Sequence, residues 1–152
     1  MHPDASEAQQ KKAGAAAKAK FFRKIPAIKN LIDAVQAAAD RGWLKGLDGR
    51  RLKVRSKHSA LNLLLQSAGA VVMKKATVIL WQDLEAQGLS WPADFWQLAH
   101  VHDEYQLAAR PELAELIGQT GVQAIRKAGD YFGFRCPLDG EYKIGRNWAE
   151  TH

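Results

Sequence analysis

The longest helical pattern in the sequence runs from residue 58 to residue 86. Its apolar residues recur three or four positions apart, which is the spacing of one buried helix face. That face consists of Leu61, Leu64, Leu65, Ala68, Val72, Lys75 or Ala76, and Ile79. Gly69 falls inside the pattern, where glycine costs about 1 kcal/mol relative to alanine. We therefore expect a packing or ligand reason for this glycine, for example a close helix crossing.

A hairpin pattern lies on each side of the long helix. Asp48-Gly49 is a turn signal, because these residue types tolerate a positive φ. After this turn, Leu52 and Val54 alternate with basic residues, as in a half-buried strand with a cationic outer face. Residues 97–109 form a second strand-like stretch, with His102-Asp103-Glu104 near its middle. The sequence thus predicts two antiparallel hairpins.

The remaining segments complete the predicted order of elements. Residues 21–40 predict an amphipathic helix with Pro26 in its first turn and Gly42 just past its end. Pro111 opens another amphipathic helix, and residues 136–145 have the pattern of strand and turn. The order is helix, hairpin, helix, hairpin, helix, strand, which predicts an α+β fold with an antiparallel sheet packed on long helices.

Residues 1–20 differ in composition from residues 21–152. They are rich in Ala and Lys and predict either a marginal helix from about residue 6 to residue 20 or a tail. Asp4 followed by Glu7 resembles a capping box at the start of that helix. We therefore predict an N-terminal helix or tail at 1–20 and one domain at 21–152.

Charge is divided unevenly along the chain. Residues 1–57 hold 14 Lys and Arg against 5 Asp and Glu, whereas residues 58–152 hold 8 against 11. A basic surface attracts phosphate backbones regardless of sequence, so the first part predicts a polyanionic partner. A basic surface without a specific partner is the alternative.

Cysteine content and hydropathy bear on the location of the protein. Cys136 is the only cysteine, so no intrachain disulfide can form, as is typical of a reducing cytoplasm. The sequence has no run of about 18 apolar residues, so we expect no membrane partner. The N-terminus lacks the apolar core of a signal peptide. We predict a cytoplasmic location.

The adjacent carboxylates Asp103 and Glu104 are candidate metal ligands. At the tip of a tight hairpin two such groups repel each other, and a divalent cation relieves that repulsion. Hard oxygen ligands suit Mg²⁺, so metal-assisted chemistry on phosphate is the hypothesis. A solvated surface turn is the alternative.

His58, Asn62 and Gln66 are spaced by four residues and so share one face of the predicted long helix, opposite the leucines. An amide donor can contact the minor-groove acceptors that every base pair offers, and so can test duplex geometry without selecting a sequence. Five cations precede these residues directly: Arg50, Arg51, Lys53, Arg55 and Lys57. Together they predict a duplex-binding surface, with an ordinary solvated face as the alternative.

These motifs resemble those of family A DNA polymerases, the DNA polymerase I-like enzymes, with the phage replicative branch the most similar. The resemblance rests on residues 60–70, on Val101-His102-Asp103-Glu104 about 30 residues later, on Leu47-Asp48-Gly49-Arg50 and on the tail Gly145-Arg146-Asn147-Trp148-Ala149. It covers the chain from about Phe21 to His152 and implies the C-terminal part of a polymerase palm.

The resemblance also implies a role for each site residue. Asp103 matches the family's catalytic metal ligand, Glu104 lies beside it, and His102 supports the turn or the primer terminus. Asn62 and Gln66 match residues that contact the primer–template minor groove. His58 stands where many relatives carry Arg, so its DNA contact is the weakest match.

Two parts of the family pattern are absent from the sequence. One is a second metal-binding Asp in a motif of the type Asp-x-Ser-x-x-Glu, and the other is a fingers helix that binds the incoming dNTP. Because two cations about 4 Å apart need carboxylates from different segments, we expect the isolated chain to be inactive. The resemblance then implies a split or truncated polymerase that uses Mg²⁺, primer–template DNA and an N-terminal polymerase fragment. The alternatives are a non-enzymatic basic duplex-DNA-binding module and an inactive polymerase remnant.

Overall fold

The computed structural model describes residues 6–151. The chain divides into two compact units, Met1–Lys45 with Arg51–Leu64, and Gly46–Arg50 with Leu65–His152. The helices are α1 (Glu7–Lys24), α2 (Pro26–Ala38), α3 (Ala60–Ala86), α4 (Ala114–Tyr131) and α5 (Trp148–Thr151). Short 3₁₀ turns lie at Ala39–Arg41, Lys57–Ser59 and Pro111–Leu113. The strands are β1 (Trp43–Lys45), β2 (Arg51–Lys53), β3 (Phe95–Val101) and β4 (Glu104–Ala109).

Helix α1 begins at a capping box different from the predicted one. Ser6 is the N-cap, its hydroxyl accepts from the Gln9 N–H, and the Gln9 side chain accepts from the Ser6 N–H. This reciprocal pair satisfies two backbone donors that a helix start leaves without intrahelical partners. The predicted box at Asp4 lies partly outside the described residues. None of the residues of α1 is buried.

Among the described residues of the first unit, one hydrophobic cluster forms. Val35 and Ala39 from the end of α2 pack with Leu44 of β1 and Ala60 at the start of α3. Gly42 adopts φ 82 directly after the 3₁₀ turn that extends α2, which confirms it as the residue that ends this helical segment.

In the described part of the second unit, two hydrophobic clusters form on helices α3 and α4. In one, Leu80 and Leu84 of α3 pack with Phe95 of β3 and with Ile117 of α4. In the other, Val72, Ala76 and Ala128 form the buried centre. Within this unit, Lys127 Nζ of α4 lies 2.7 Å from Asp83 Oδ2 of α3. Gln87, directly after α3, donates from Nε2 to Thr120 Oγ1 of α4 at 3.4 Å.

The fold contains both helices and antiparallel strands, as predicted, but the strands form two separate two-stranded sheets, β1–β2 and β3–β4, instead of one. The predicted face of α3 is partly wrong as well. Leu65 is 58% exposed, whereas Leu80 and Leu84, beyond the predicted set, are buried. A methyl group added at Gly69 would have no atom within 4 Å, so the expected close helix crossing is not present among the described residues.

The strand predicted at residues 136–145 is wrong. This segment has no strand pairing in the described chain, and the order of elements ends in α5. It is held by side chains instead. Leu138 packs so closely on Gly129 that a methyl group there would lie 2.9 Å from its Cγ, and a methyl group on Gly118 would lie 2.3 Å from Cδ2 of Tyr142. Tight side-chain docking on α4 thus replaces backbone pairing.

The segment Lys57–Ala86 is long and apolar enough to cross a membrane by length and composition alone, and 28% of its most apolar stretch is buried. This is weak evidence, because a core helix meets the same criterion. Residues of α3 take part in the hydrophobic clusters of both units. The expected absence of a membrane partner remains a prediction.

Candidate functional site

The hairpin of the second unit ends in a two-residue turn. Val101 pairs with Glu104, so His102 and Asp103 alone connect β3 to β4. His102 has φ 54 and is the only non-glycine residue with a positive φ in the part of the chain that is described. Such a backbone conformation costs of order 1–3 kcal/mol outside glycine and is concentrated at functional sites.

The two candidate metal ligands differ in their surroundings. Asp103 is exposed at the turn, whereas Glu104 at the start of β4 is half-buried. The Glu104 carboxylate accepts a hydrogen bond from Gln106 Nε2, two residues along on the same face of β4. Within residues 6–151, no group of three or more His, Cys, Asp or Glu residues is arranged to hold a metal ion. The pair therefore supplies hard oxygen donors but an incomplete ligand set.

Tyr105 fixes the hairpin to helix α3. Its hydroxyl donates to the carbonyl oxygen of Met73 at 2.9 Å, and burial raises the pKa of this phenol. His100 lies opposite Tyr105 in the register, with the two rings edge to face and their centroids 5.2 Å apart. The turn that carries Asp103 is thus held by a residue directly after the carboxylate pair.

The predicted amide residues Asn62 and Gln66 both lie on α3 and are exposed. Neither amide has a hydrogen-bond partner within the described chain, so both donors are available to a partner. The prediction for His58 needs a correction. It lies in the 3₁₀ turn Lys57–Ser59 that precedes α3, because the helix itself begins at Ala60.

The predicted cations fall into two groups. Arg50 is paired with Asp48 in the second unit, with Nε 2.7 Å from Oδ2. The side-chain hydrogen bond between them lowers the pKa of Asp48 and raises the pKa of Arg50. Lys57 is likewise paired, with Asp40.

The remaining predicted cations, Arg51, Lys53 and Arg55, are exposed and form no ion pair within residues 6–151. These three are therefore the better candidates for phosphate contacts.

Three side chains at these sites, Gln106, Arg41 and Trp43, were not predicted as functional, whereas Arg51 was. Gln106 orients Glu104, and the guanidinium carbons of Arg41 and Arg51 lie over the Trp43 ring, 4.1 and 4.7 Å from its centroid. The contact of Arg41 with Trp43 could have been predicted from the sequence, because Arg41 lies two positions before this strand tryptophan. The Gln106 contact follows from same-face spacing on β4, which the sequence also contained.

A protein-family profile and several known proteins match most of this chain. The profile described as DNA polymerase family A matches residues 5–150. The DNA-directed DNA polymerase of Escherichia phage T7 is 41% identical over 160 residues, which cover 93% of this chain and 23% of that protein. DNA polymerase I of Pseudomonas aeruginosa is 29% identical over 146 residues, with 88% and 15% covered. The chain thus spans less than a quarter of the length of these relatives.

The solved structures with a similar fold include one with bound DNA. It is the polymerase domain of Pol1 from M. smegmatis, in complex with DNA primer-template and dNTP. The TM-score is 0.67 at 18% sequence identity, over 77% of this chain and 22% of that one. At this identity the likeness concerns the fold alone.

Proposed function

Since the chain belongs to DNA polymerase family A, we propose that it forms the C-terminal palm portion of a DNA-directed DNA polymerase, a nucleotidyltransferase. The observation that carries this proposal is the two-residue turn after β3, which places an exposed Asp103 directly before Glu104. The strained backbone of His102 at the same turn supports a functional role for it.

In this proposal Asp103 and Glu104 bind catalytic Mg²⁺. Carboxylate oxygens suit this ion, and Gln106 limits the orientations open to Glu104. The family's second metal-binding Asp comes from a polymerase segment outside this sequence, on the same or another polypeptide. Held by these carboxylates, Mg²⁺ would activate the primer 3′-hydroxyl and stabilise the pyrophosphate leaving group. His102 supports the turn and the primer terminus.

DNA binding is assigned to the exposed amides and cations. Asn62 and Gln66 donate to minor-groove acceptors of the primer–template, which are present in every base pair. Phosphate contacts come from Arg50, Arg51, Lys53 and Arg55, with His58 as a further contact. We expect the smallest contribution from Arg50, because Asp48 already offsets its charge. The incoming dNTP binds in the segment outside this sequence.

The test is complementation. The chain is mixed or co-expressed with a polymerase segment that carries the remaining palm and fingers, and Mg²⁺-dependent primer extension is measured. We expect extension with the natural chain and background activity with Asp103→Asn, because the amide lacks the charge that holds the cation. Asp130→Asn is the matched control, since Asp130 is an exposed carboxylate of α4 far along the sequence.

Equal extension by the Asp103→Asn mixture contradicts the metal role of this residue. Activity of the chain alone contradicts the need for a second segment. A non-enzymatic duplex-binding module or an inactive remnant is not favoured, because the family match covers nearly the whole chain. The cytoplasmic location and the separate N-terminal fragment remain predictions.

A further inference from the structure

Tyr105 lies in β4 between the proposed metal ligand Glu104 and its hydrogen-bond partner Gln106. Side chains alternate between the faces of a strand, so these two residues share one face of β4 and Tyr105 lies on the other. Tyr105 is half-buried there and packs against both hydrophobic clusters of the second unit. Strand β4 therefore presents a carboxylate on one face and a contact with the hydrophobic clusters on the other.

A hydrogen bond near the turn gives the contact of Tyr105 with α3 a defined geometry. Its hydroxyl donates to the carbonyl oxygen of Met73 at 2.9 Å, and the hydroxyl of Thr77 donates to the same oxygen at 3.0 Å. Tyr105 directly follows Glu104, whose pairing with Val101 closes the turn. Apolar packing is non-directional, whereas a hydrogen bond fixes both a distance and an angle. The Tyr105 hydroxyl therefore sets how the turn lies against α3.

Another hydrogen bond joins the hairpin to α3 at its opposite end. Trp81 donates from Nε1 to Oε1 of Gln97 at 3.3 Å, near the start of β3. The register of the two strands shifts between Gln97 and Ala99, which separates this contact from the turn. The Gln97 contact thus holds the base of the hairpin, and the Tyr105 contact holds the end that carries Asp103.

Helix α3 also carries an amide to which DNA binding is assigned. Gln66 and Met73 lie in this helix and in the same unit, about two helical turns apart, which is a rise of about 10 Å. Groups held on helices and strands keep their relative positions better than groups held on loops. The bond from Tyr105 to Met73 therefore gives the Gln66 amide and the carboxylate pair a common frame.

We propose that Tyr105 is a positioning residue for the polymerase reaction, because its hydroxyl fixes Asp103 and Glu104 relative to the helix that contacts the primer–template. The inference rests on the proposed function. A displacement of about 1 Å caused by a substitution away from the reacting atoms can lower a rate on the order of a hundredfold. Since the Tyr105 ring lies on the helix side of β4, its role is expected in kcat and not in substrate binding.

The test is Tyr105→Phe in the complementation mixture, with kcat and KM measured for primer–template and for dNTP. The variant keeps the aromatic ring and its edge-to-face contact with His100. The Met73 carbonyl oxygen keeps the Thr77 hydroxyl as a donor, so no buried acceptor is left unpaired and the fold should persist. We expect kcat to fall by about tenfold to a hundredfold, with both KM values within about twofold of the natural ones.

Two control variants separate positioning from a merely structural role. Tyr142→Phe removes a hydroxyl hydrogen bond to Glu115 elsewhere in the same unit, and Thr77→Val removes the other side-chain donor to Met73. Both controls should retain the natural kcat. The positioning role is overturned if either control loses as much kcat as Tyr105→Phe, or if Tyr105→Phe itself retains the natural kcat.

Amide hydrogen exchange measures the same contact without DNA, metal or a second segment. In the 152-residue chain, Tyr105→Phe should speed exchange at the turn end of the hairpin, residues 100–105, by about threefold to tenfold. Exchange near Gln97 should stay as it is, because Trp81 still holds that end. An unchanged rate at the turn, or an equal increase in Tyr142→Phe, overturns the inference.

Failure of the proposed function and failure of this inference give different results. Extension by Asp103→Asn at the natural rate contradicts the metal role on which both depend. Extension by Tyr105→Phe at the natural rate, while Asp103→Asn remains at background, overturns the positioning role alone.

Discussion

Gly69 lies on an exposed part of helix α3, where a methyl group would meet no atom within 4 Å. Packing within the described chain therefore does not explain the glycine. It follows Gln66 by three residues and so lies close to that exposed amide on the helix surface. Close approach of a bound nucleic acid is the remaining hypothesis for this position.

Replacement of Gly69 by Ala should raise the free energy of unfolding by up to about 1 kcal/mol, because alanine favours the helix and nothing obstructs its methyl group. Urea unfolding measures the change. Gly14→Ala in α1 is the control, since this glycine also has no atom within 4 Å of the added methyl.

Nucleic-acid binding by the Gly69→Ala and Gly14→Ala variants is then compared. If DNA approaches α3 at Gly69, the Gly69→Ala variant should bind more weakly than the Gly14→Ala variant. If Gly69→Ala destabilises the protein, the surroundings of this residue are not open. If Gly69→Ala binds nucleic acid as well as Gly14→Ala does, DNA does not approach α3 closely at this position.

At the scale of elements, local patterns predicted the helices but not the assembly of the strands. Gly42 and Pro111 marked helix ends because their backbone preferences act within a few residues. Whether two hairpins join one sheet depends on contacts between distant segments, which periodicity does not contain. The same limit applies to the shift of register between Gln97 and Ala99, which gives Leu98 no partner in the register of β4.

In the candidate site, too, local features were predicted and contacts between distant segments were not. Asp103, Glu104, Asn62 and Gln66 were predicted from residue type, spacing and resemblance. The stacking of Arg51 on Trp43 was not, because it depends on the register of β1 against β2. Helix α3 begins at Ala60, so His58 lies in a separate turn, and residue spacing alone could not predict this boundary.

The C-terminal segment offers a sharp test of side-chain docking on α4. A methyl group on Gly118 would lie 2.3 Å from Cδ2 of Tyr142, so Gly118→Ala must displace this ring. Displacement also breaks the hydrogen bond from the Tyr142 hydroxyl to Glu115. We expect a loss of about 1–2 kcal/mol in the free energy of unfolding.

Gly121→Ala is the matched control on the same helix, because no atom lies within 4 Å of its added methyl. This variant should be neutral or slightly stabilised. Urea unfolding of the two variants makes the comparison. Equal stability of both would mean that Tyr142 does not dock on Gly118 in solution.

At the scale of the whole molecule, acid sensitivity is expected in the second unit. The carboxyl groups there with a pKa below the ordinary value are Asp48, Asp94, Glu112, Glu115 and Asp139. The largest cause is a side-chain hydrogen bond in three of them and a backbone N–H in the other two. A folded-state pKa below the unfolded one means that the unfolded chain binds more protons, so these groups stabilise the fold above the unfolded pKa.

This stability should be lost as the pH falls from about 5 through the lowered pKa values of the folded chain. Thermal unfolding followed by tryptophan fluorescence at pH 7 and at lower pH measures it, since Trp81, Trp91, Trp96 and Trp148 all lie in the second unit. Asp94→Asn with Asp139→Asn should lower the melting temperature at pH 7 and flatten its dependence on pH. Asp130→Asn, whose carboxylate has no ion pair in the described chain, should leave that dependence parallel to the natural protein's. A melting temperature that rises on acidification would contradict the linkage, because protonation of hydrogen-bonded carboxylates can only weaken the contacts that lowered their pKa.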